Sequence, residues 1–410
     1  MIIRKISCDN INYKNIFGEL DIENRILHFN LDNQEFKDIF GFYVDERSDN
    51  SDKLDVYKNC YLIDENGVYY TCNGCIWVYS RKAKCSFIKV YTLPIDIIYE
   101  NKIVSECNLD NIKIKKMLLK TSYPLYAKFK WHIANFNIKY DARKKISILP
   151  TKSDDKFNID LLIESNIDTT FKTLSNILYS ILELIFLIFG DIPKLESIIL
   201  CDNNSEFKLY RELVDKYHQR VQINPNNEII GNIDSHALTP KLIRDFIKFR
   251  KETKILFDML MINMNNNGYL EINNSSLLQL LEGLFKTIGP FTTENFREIL
   301  NYYFKNNKST NYLLSKRDKK LINVGTSNDK DYVFIIKGVG HRNYLSHLDV
   351  HTNRKVFIES ENNYAYWKLS LCARLYITDY IGFTIDKELV KKTLISFDKW
   401  AITKHFRYKI

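Results

Sequence analysis

Gly340-His341-Arg342-Asn343-Tyr344-Leu345-Ser346-His347 is the run in this 410-residue chain whose residue types could do chemistry together. Arg342 is a permanent cation whose planar guanidinium can grip a phosphate through two parallel hydrogen bonds. His347, five residues on, can take and give a proton near neutral pH. Such a pair suits cleavage of RNA without a metal. The imidazole would act on the attacking ribose 2′-OH or the leaving 5′-oxygen, and the guanidinium would neutralise charge building on the phosphorane. On an unbroken helix, however, residues five apart stand about 140° apart, at ~100° per residue. The two groups converge only if a helix starts or kinks between them, or if each works with a partner from another chain. Gly338 and Gly340 invite a break there. A surface arginine and a capping histidine would give the same letters, so the run must be weighed with the elements around it.

The first half reads as β-rich. Asn66-Gly67 lies between CYLIDE and VYYTC, and Asn73-Gly74 between VYYTC and CIWVYS. Asn-Gly between β-prone runs is a strong hairpin signal, because both turn residues accept φ > 0. Two in succession predict a meander of three short strands, with 86–93 a fourth. Residues 127–133 (AKFKWHI) alternate strictly, giving a half-buried strand with Lys128, Lys130 and His132 on a wet, basic face. Residues 144–149 and 157–163 are further strand candidates, separated by a polar loop at 151–156, and 198–201 is a short one. Between them a long apolar helix spans about 168–189. Its most apolar part, 177–189, is shorter than the ~20 residues needed to span a bilayer, and Glu183 interrupts it. It reads as a buried helix.

Residues 223–235 are polar and turn-rich, which places a boundary near 237. Beyond it the period is helical. Thr239-Pro240 is an N-cap followed by a proline at the first helical position. Leu242, Phe246, Phe249, Leu256 and Leu260 continue one helix up to Asn265–Gly268. Ser276 and Gln279 have the spacing of a capping box ahead of the stripe Leu277, Leu280, Leu281, Leu284 and Ile288. Further helices cover 293–304, 364–381 and, from an N-cap at Asp386, up to about 400. The expected fold is α+β: a β-rich N-terminal domain with a long buried helix (1–237), then an all-α helical bundle (238–410).

With those elements in place, Arg342-Asn343-Tyr344-Leu345-Ser346-His347 resembles the Arg-Asn-x-x-x-His motif of the HEPN ribonucleases. The helix bearing Leu278-Gln279-Leu280-Leu281-Glu282-Gly283-Leu284 is similar to an earlier helix of the ApeA-like branch. The helix 173–190, closing on Phe189-Gly190-Asp191-Ile192-Pro193, is similar to that branch's β-containing N-terminal domain. The resemblance implies a metal-independent endoribonuclease, without cofactor, that dimerises so that two motifs share one composite groove. It implies anti-phage defence by abortive infection, with RNA such as tRNA as substrate. The N-terminal domain would sense a phage protein or other phage component and restrain the nuclease until then. Arg342 and His347 match the catalytic pair, and Asn343 matches the polar second position. Glu282 is added as a further catalytic candidate, against a solvated helix-face carboxylate. The rival reading is a non-catalytic RNA-binding or dimerisation module behind a receptor domain, and the intact Arg and His count against it.

The remaining signals are weaker. Lys+Arg number 59 against 50 Asp+Glu, a net charge of +9 that permits a nucleic-acid partner without requiring one. Lys316, Arg317, Lys319 and Lys320 are RNA-binding candidates between two helices; a solvated loop explains them equally. With 45% hydrophobic and 27% charged residues, disorder over most of the chain is excluded. No apolar signal core follows Met1, so the eight cysteines are expected to be reduced thiols in the cytoplasm, with no membrane span. Cys72-Asn73-Gly74-Cys75 has the CxxC spacing of zinc or redox sites but no second pair, and reads as two thiols flanking a turn. His347 and His351, with Asp349 between them, have metal-binding spacing without a further ligand cluster, and no metal is expected.

Overall fold

The computed structural model of the chain describes residues 1–8, 13–44, 52–80, 86–95, 97–103, 112–122, 138–141, 146–152, 159–190, 194–201, 206–211, 230, 239–265, 269–325, 328–347, 355–358 and 360–403. The architecture is α+β, with an N-terminal β region and helices in the C-terminal half. The chain divides into two compact units. The first comprises 1–122, 141–177 and 195–213; the second comprises 123–140, 178–194 and 214–410. The second thus takes in 178–194, which the sequence assigns to the first domain. The cut expected near 237, its linker apart from Ile230, the 151–156 loop from 153 onward, and the alternating stretch 127–133 lie outside the described residues.

Six strands of the first unit close on themselves: β1 (Ile2–Cys8), β2 (Lys14–Asp21), β3 (Ile26–Leu31), β4 (Asp52–Asp64), β5 (Tyr69–Ser80) and β6 (Ile88–Thr92). Their order is β4-β1-β2-β3-β6-β5, and β5 pairs back to β4. Closure leaves none of these six with an unpaired edge along its whole length. Alternate residues such as Leu27, Phe29 and Leu31 point inward, and Trp77, Leu62 and Val90 fill the interior. Helix α1 (Asn33–Phe40) adds Phe36 and Ile39 to this core. It starts at a full capping box, in which Asp32 and Glu35 each accept from the other's backbone N–H. β5 also pairs with β7 (Ile97–Glu100), and the sheet runs on through β13 (Glu206–Arg211), β12 (Lys194–Cys201), β8 (Lys113–Ser122), β11 (Ile159–Thr170), β10 (Ile146–Lys152) and β9 (Ile138–Asp141).

The Asn66-Gly67 hairpin forms as expected, between β4 and β5. The second one does not. Asn73-Gly74 lies inside β5, which stays paired to β4 through Asn59↔Asn73 and Tyr57↔Cys75. Gly74 does adopt a left-handed φ of 76°. That kink serves a different purpose: at this point the other edge of β5 changes partner, from β7 (Asn73↔Ile97) to β6 (Trp77↔Thr92). Cys72 and Cys75 therefore flank a strand kink, not a turn. Both are free and fully buried, beside Cys8 and Cys60, whose sulfurs stand 3.7 Å apart. Burial pushes the Cys60 and Cys72 thiols up, so they stay protonated.

Helix α2 (Phe171–Phe189) is, among the described residues, the one helix long and apolar enough to cross a membrane, and 72% of its apolar window is buried. In the second unit its Glu183 receives Arg250 Nε at 3.1 Å. That unit continues with α3 (Pro240–Glu252), α4 (Lys254–Asn265), α5 (Leu270–Ile288), α6 (Phe296–Asn301), a π-helical turn (Tyr302–Asn306), α7 (Val333–His347), α8 (Ser360–Tyr380) and α9 (Lys387–Thr403). Thr239 caps α3 and Asp386 caps α9, as their sequences predict. The single helix expected up to residue 265 is two. Thr253 leaves helical geometry (φ −117°, ψ 28°) and its hydroxyl turns back to the Phe249 carbonyl. Ser276 is no cap: α5 starts at Leu270, and the Ser276 hydroxyl accepts from Asn263 Nδ2 of α4 at 2.8 Å. Nor is this half purely α-helical. A two-stranded hairpin, β14 (Leu321–Asn323) and β15 (Lys330–Tyr332), immediately precedes α7.

Buried ion pairs tie these helices together. Lys368 of α8 and Asp318, both fully buried, meet at 2.8 Å, and the Tyr364 hydroxyl donates to Asp318 at 2.9 Å. Removing one partner strands the other charge in the interior. Lys368→Met is expected to lower unfolding free energy by about 3–5 kcal/mol, read from urea denaturation. Asp318→Asn combined with Lys368→Met should recover part of that loss; a larger loss in the double variant would contradict this account.

Candidate functional site on the motif helix

Helix α7 runs without interruption from Val333 to His347. The expected break at Gly338 or Gly340 is absent, because these glycines serve packing. A Cβ on Gly340 would lie 2.0 Å from the Lys355 carbonyl oxygen, and one on Gly338 would lie 3.0 Å from Leu300 Cδ1. Both glycines let neighbouring chain approach an intact helix. Arg342 and His347 consequently sit on one continuous helix, about 140° apart around its axis at ~100° per residue. Within one chain they do not share a face.

The segment returning after α7 fastens it. Lys337 Nζ meets Glu361 Oε2 at 2.7 Å, both buried, and also donates to the Val356 carbonyl at 3.2 Å. Phe357 lies against Phe334 and His341. His341, buried, shares a 2.8 Å hydrogen bond through Nε2 with the Glu271 carbonyl. The carbonyl only accepts, so Nε2 carries the proton and the buried Nδ1 has no partner. Burial pushes the His341 pKa down, and the bond to Glu271 opposes this only in part. His341 is therefore a neutral packing residue.

Arg342 and Glu282 are brought together. Arg342 Nη2 lies 3.1 Å from Glu282 Oε2, and Lys286 Nζ lies 2.8 Å from the other oxygen. Arg342 Nη1 donates to Asn343 Oδ1 at 3.3 Å, and the guanidinium stands over the Phe296 ring at 5.6 Å. Its buried Nε has no partner. Burial pushes the Glu282 carboxyl up, but hydrogen bonds from Lys286 and Arg342 outweigh it and hold the group below the usual carboxylate range. Ionised at neutral pH and occupied at both oxygens, Glu282 is suited to positioning Arg342 and not to donating a proton. Lys286 was missed by the sequence reading, although Glu followed by Lys four residues later on a helix is a recognisable pair.

Asn343 also borders a cavity of about 480 Å³ whose walls include Arg297, Asn323, Val339, Gly340 and Lys355. None of these flanking residues except Gly340 lies in the motif run, and no local pattern marks them, because the contact is tertiary. Lys316, Arg317, Lys319 and Lys320 are exposed on a turn whose Asp318 points inward to Ser315 and Lys368. No bond links Lys316, Lys319 or Lys320 to Arg342, Asn343 or Glu282. Among the described residues, no group of three His, Cys, Asp or Glu is arranged to hold a metal ion. His351 and Asp349 lie outside the described residues. The chain matches no protein-family model, no curated protein and no solved structure closely enough to assign a relationship.

Two predictions arise from this geometry. Between its lowered folded pKa and the unfolded value of ~6.5, His341 binds a proton only when unfolded, so its contribution to stability is present at higher pH and lost as pH falls. Urea midpoints should fall more steeply on acidification below about pH 6.5 in the wild type than in His341→Gln; equal slopes would refute the assignment. Gly340→Ala should lower the midpoint by the equivalent of about 1–3 kcal/mol, since the new methyl must displace the Lys355 backbone.

Proposed function

We propose that this chain is a metal-independent endoribonuclease of the HEPN type, acting as a homodimer in the cytoplasm in anti-phage abortive infection. The observation that carries the reading is Arg342 held at the surface of α7 by Glu282 and Asn343, with His347 five residues on along the same unbroken helix. Because one chain keeps the two on different faces, the working site pairs Arg342 of one copy with His347 of another, across a symmetric interface. The ribose 2′-oxygen attacks phosphorus and forms the P–O2′ bond while His347 takes its proton. Arg342 stabilises the phosphorane charge. The P–O5′ bond then breaks, and the departing 5′-oxygen is protonated from water. The products are a 2′,3′-cyclic phosphate and a 5′-hydroxyl. RNA such as tRNA is the substrate, and the first unit senses a phage component.

Arg342→Ala and His347→Ala should each abolish the new RNA ends that the wild type generates in phage-infected cells, and purified enzyme should cut equally well in chelator. Cleavage unchanged in both variants would sink the reading. A further test separates a composite site from one within a single chain. Mixing the two inactive proteins and allowing exchange should restore about a quarter of wild-type activity, since half the dimers then hold one intact site of two. No recovery from folded, exchanging subunits would refute the composite arrangement. The second reading, a non-catalytic RNA-binding module, is favoured by the separation of Arg342 from His347 within one chain. Tight RNA binding with no cleavage under phage infection would establish it.

A further inference from the structure

Ile336, Val339, Gly340 and Asn343 line the cavity of about 480 Å³ beside α7. They fall at i, i+3, i+4 and i+7, one face of the helix. The next position on that stripe, four residues after Asn343, is His347. Arg342 is not on it. The cavity therefore lies along the side of α7 on which the motif histidine is registered, and its volume is in the range of small-molecule sites.

Its walls have the chemistry of a nucleotide pocket. Among the described residues, two cations, Arg297 and Lys355, border it and no carboxylate does. Arg297 donates Nε to the buried Asp331 at 2.9 Å, which fixes the guanidinium. Its two terminal nitrogens have no partner among the described residues. Asp331 is shared with Lys305 at 2.5 Å, so the cluster keeps a net positive charge. Lys355 makes one long bond, 3.3 Å to the Asn323 carbonyl. The side chains of Asn323 and Asn343 each offer an amide nitrogen with no partner among the described residues, suited to the edge of a base or a ribose hydroxyl. Ile336, Val339 and Val324 supply an apolar wall for a base to lie against.

We propose that this cavity is a binding subsite for one nucleotide of single-stranded RNA. Its phosphate meets Arg297 and Lys355, its polar edge meets Asn323 and Asn343, and it is the nucleotide next to the one on which His347 acts. The proposal rests on the ribonuclease reading and adds the residues that hold the substrate on the histidine side.

The test measures binding of a fluorescent 2′-O-methyl RNA octamer, which lacks the reactive 2′-OH, to the full chain. Adenosine and uridine monophosphates serve as competitors. Lys355→Gln, a change at a half-buried position that leaves the Arg297–Asp331 pair intact, should weaken binding about five- to tenfold and reduce the salt dependence by about one phosphate contact. Val339→Phe should weaken it by filling the cavity, while Lys391→Gln, a control on α9, should not. If the wild type binds and cleaves RNA but both cavity variants bind as it does, the subsite is overturned and the nuclease reading stands. If the wild type neither binds nor cleaves RNA, both fall together. If a free monophosphate binds more tightly than the octamer and Lys355→Gln abolishes that binding, the cavity serves a small nucleotide and the RNA subsite is overturned.

Discussion

The helix that carries the motif is approached so closely by the chain returning to it that a carbonyl oxygen, that of Lys355, occupies the space of a side chain at position 340. Much else follows from this backbone contact. It sets Lys355 at the mouth of the cavity and Val356 within reach of Lys337. It lays Phe357 on His341 and brings Glu361, at the start of α8, to the buried end of Lys337. About two consecutive turns of α7, from Phe334 to His341, are held by one short return segment, and a rigid helix face is what a site needs to hold reacting groups to within a fraction of an ångström.

Around that face the charges are arranged in shared sets. Glu282 serves Arg342 and Lys286, Asp331 serves Arg297 and Lys305, and Asp318 serves Lys368 with the Tyr364 hydroxyl. In the first two sets a carboxylate is outnumbered by cations, so each anchors a positive group without cancelling it. Such an arrangement fixes the direction of a guanidinium while keeping it attractive to phosphate. In the third the balance is reversed: buried Lys368 also meets the part-exposed Asp398 at 3.4 Å, so two carboxylates share one cation. Burial thus separates the ion pairs that hold the helices from those able to meet a ligand.

The sequence made some of this legible and hid the rest for identifiable reasons. Thr239-Pro240 and Asp386 are caps whose side-chain oxygens accept from N–H groups three residues on, and both are found where their letters place them. Asn66-Gly67 turns the chain because nothing competes with its local preference. Asn73-Gly74 has the same letters, but there β5 changes partner along its far edge, from β7 to β6, and tertiary pairing overrides the turn. Ser276 has cap spacing, yet its hydroxyl is taken by Asn263 of another helix. Gly338 and Gly340 read as a kink because a sequence does not reveal which backbone will press against it. At the site, Arg342, Asn343 and Glu282 were legible from residue type and motif spacing, and they do meet. Arg297, Asn323 and Lys355 were not, since they reach the cavity from three separate stretches of chain.

The division of α2 between the two compact units has a consequence in time. Residues 178–194 belong with the second unit, and the Leu187 carbonyl accepts from Arg374 Nε, 187 positions later. At ~5–20 residues per second, a ribosome needs roughly ten to forty seconds to make the intervening chain. For that interval Leu182, Ile185 and Phe186, all buried in the finished protein, wait for helices not yet made. The period in which this chain is most open to association with its neighbours is therefore set by the pace of synthesis and not by the strength of its final contacts.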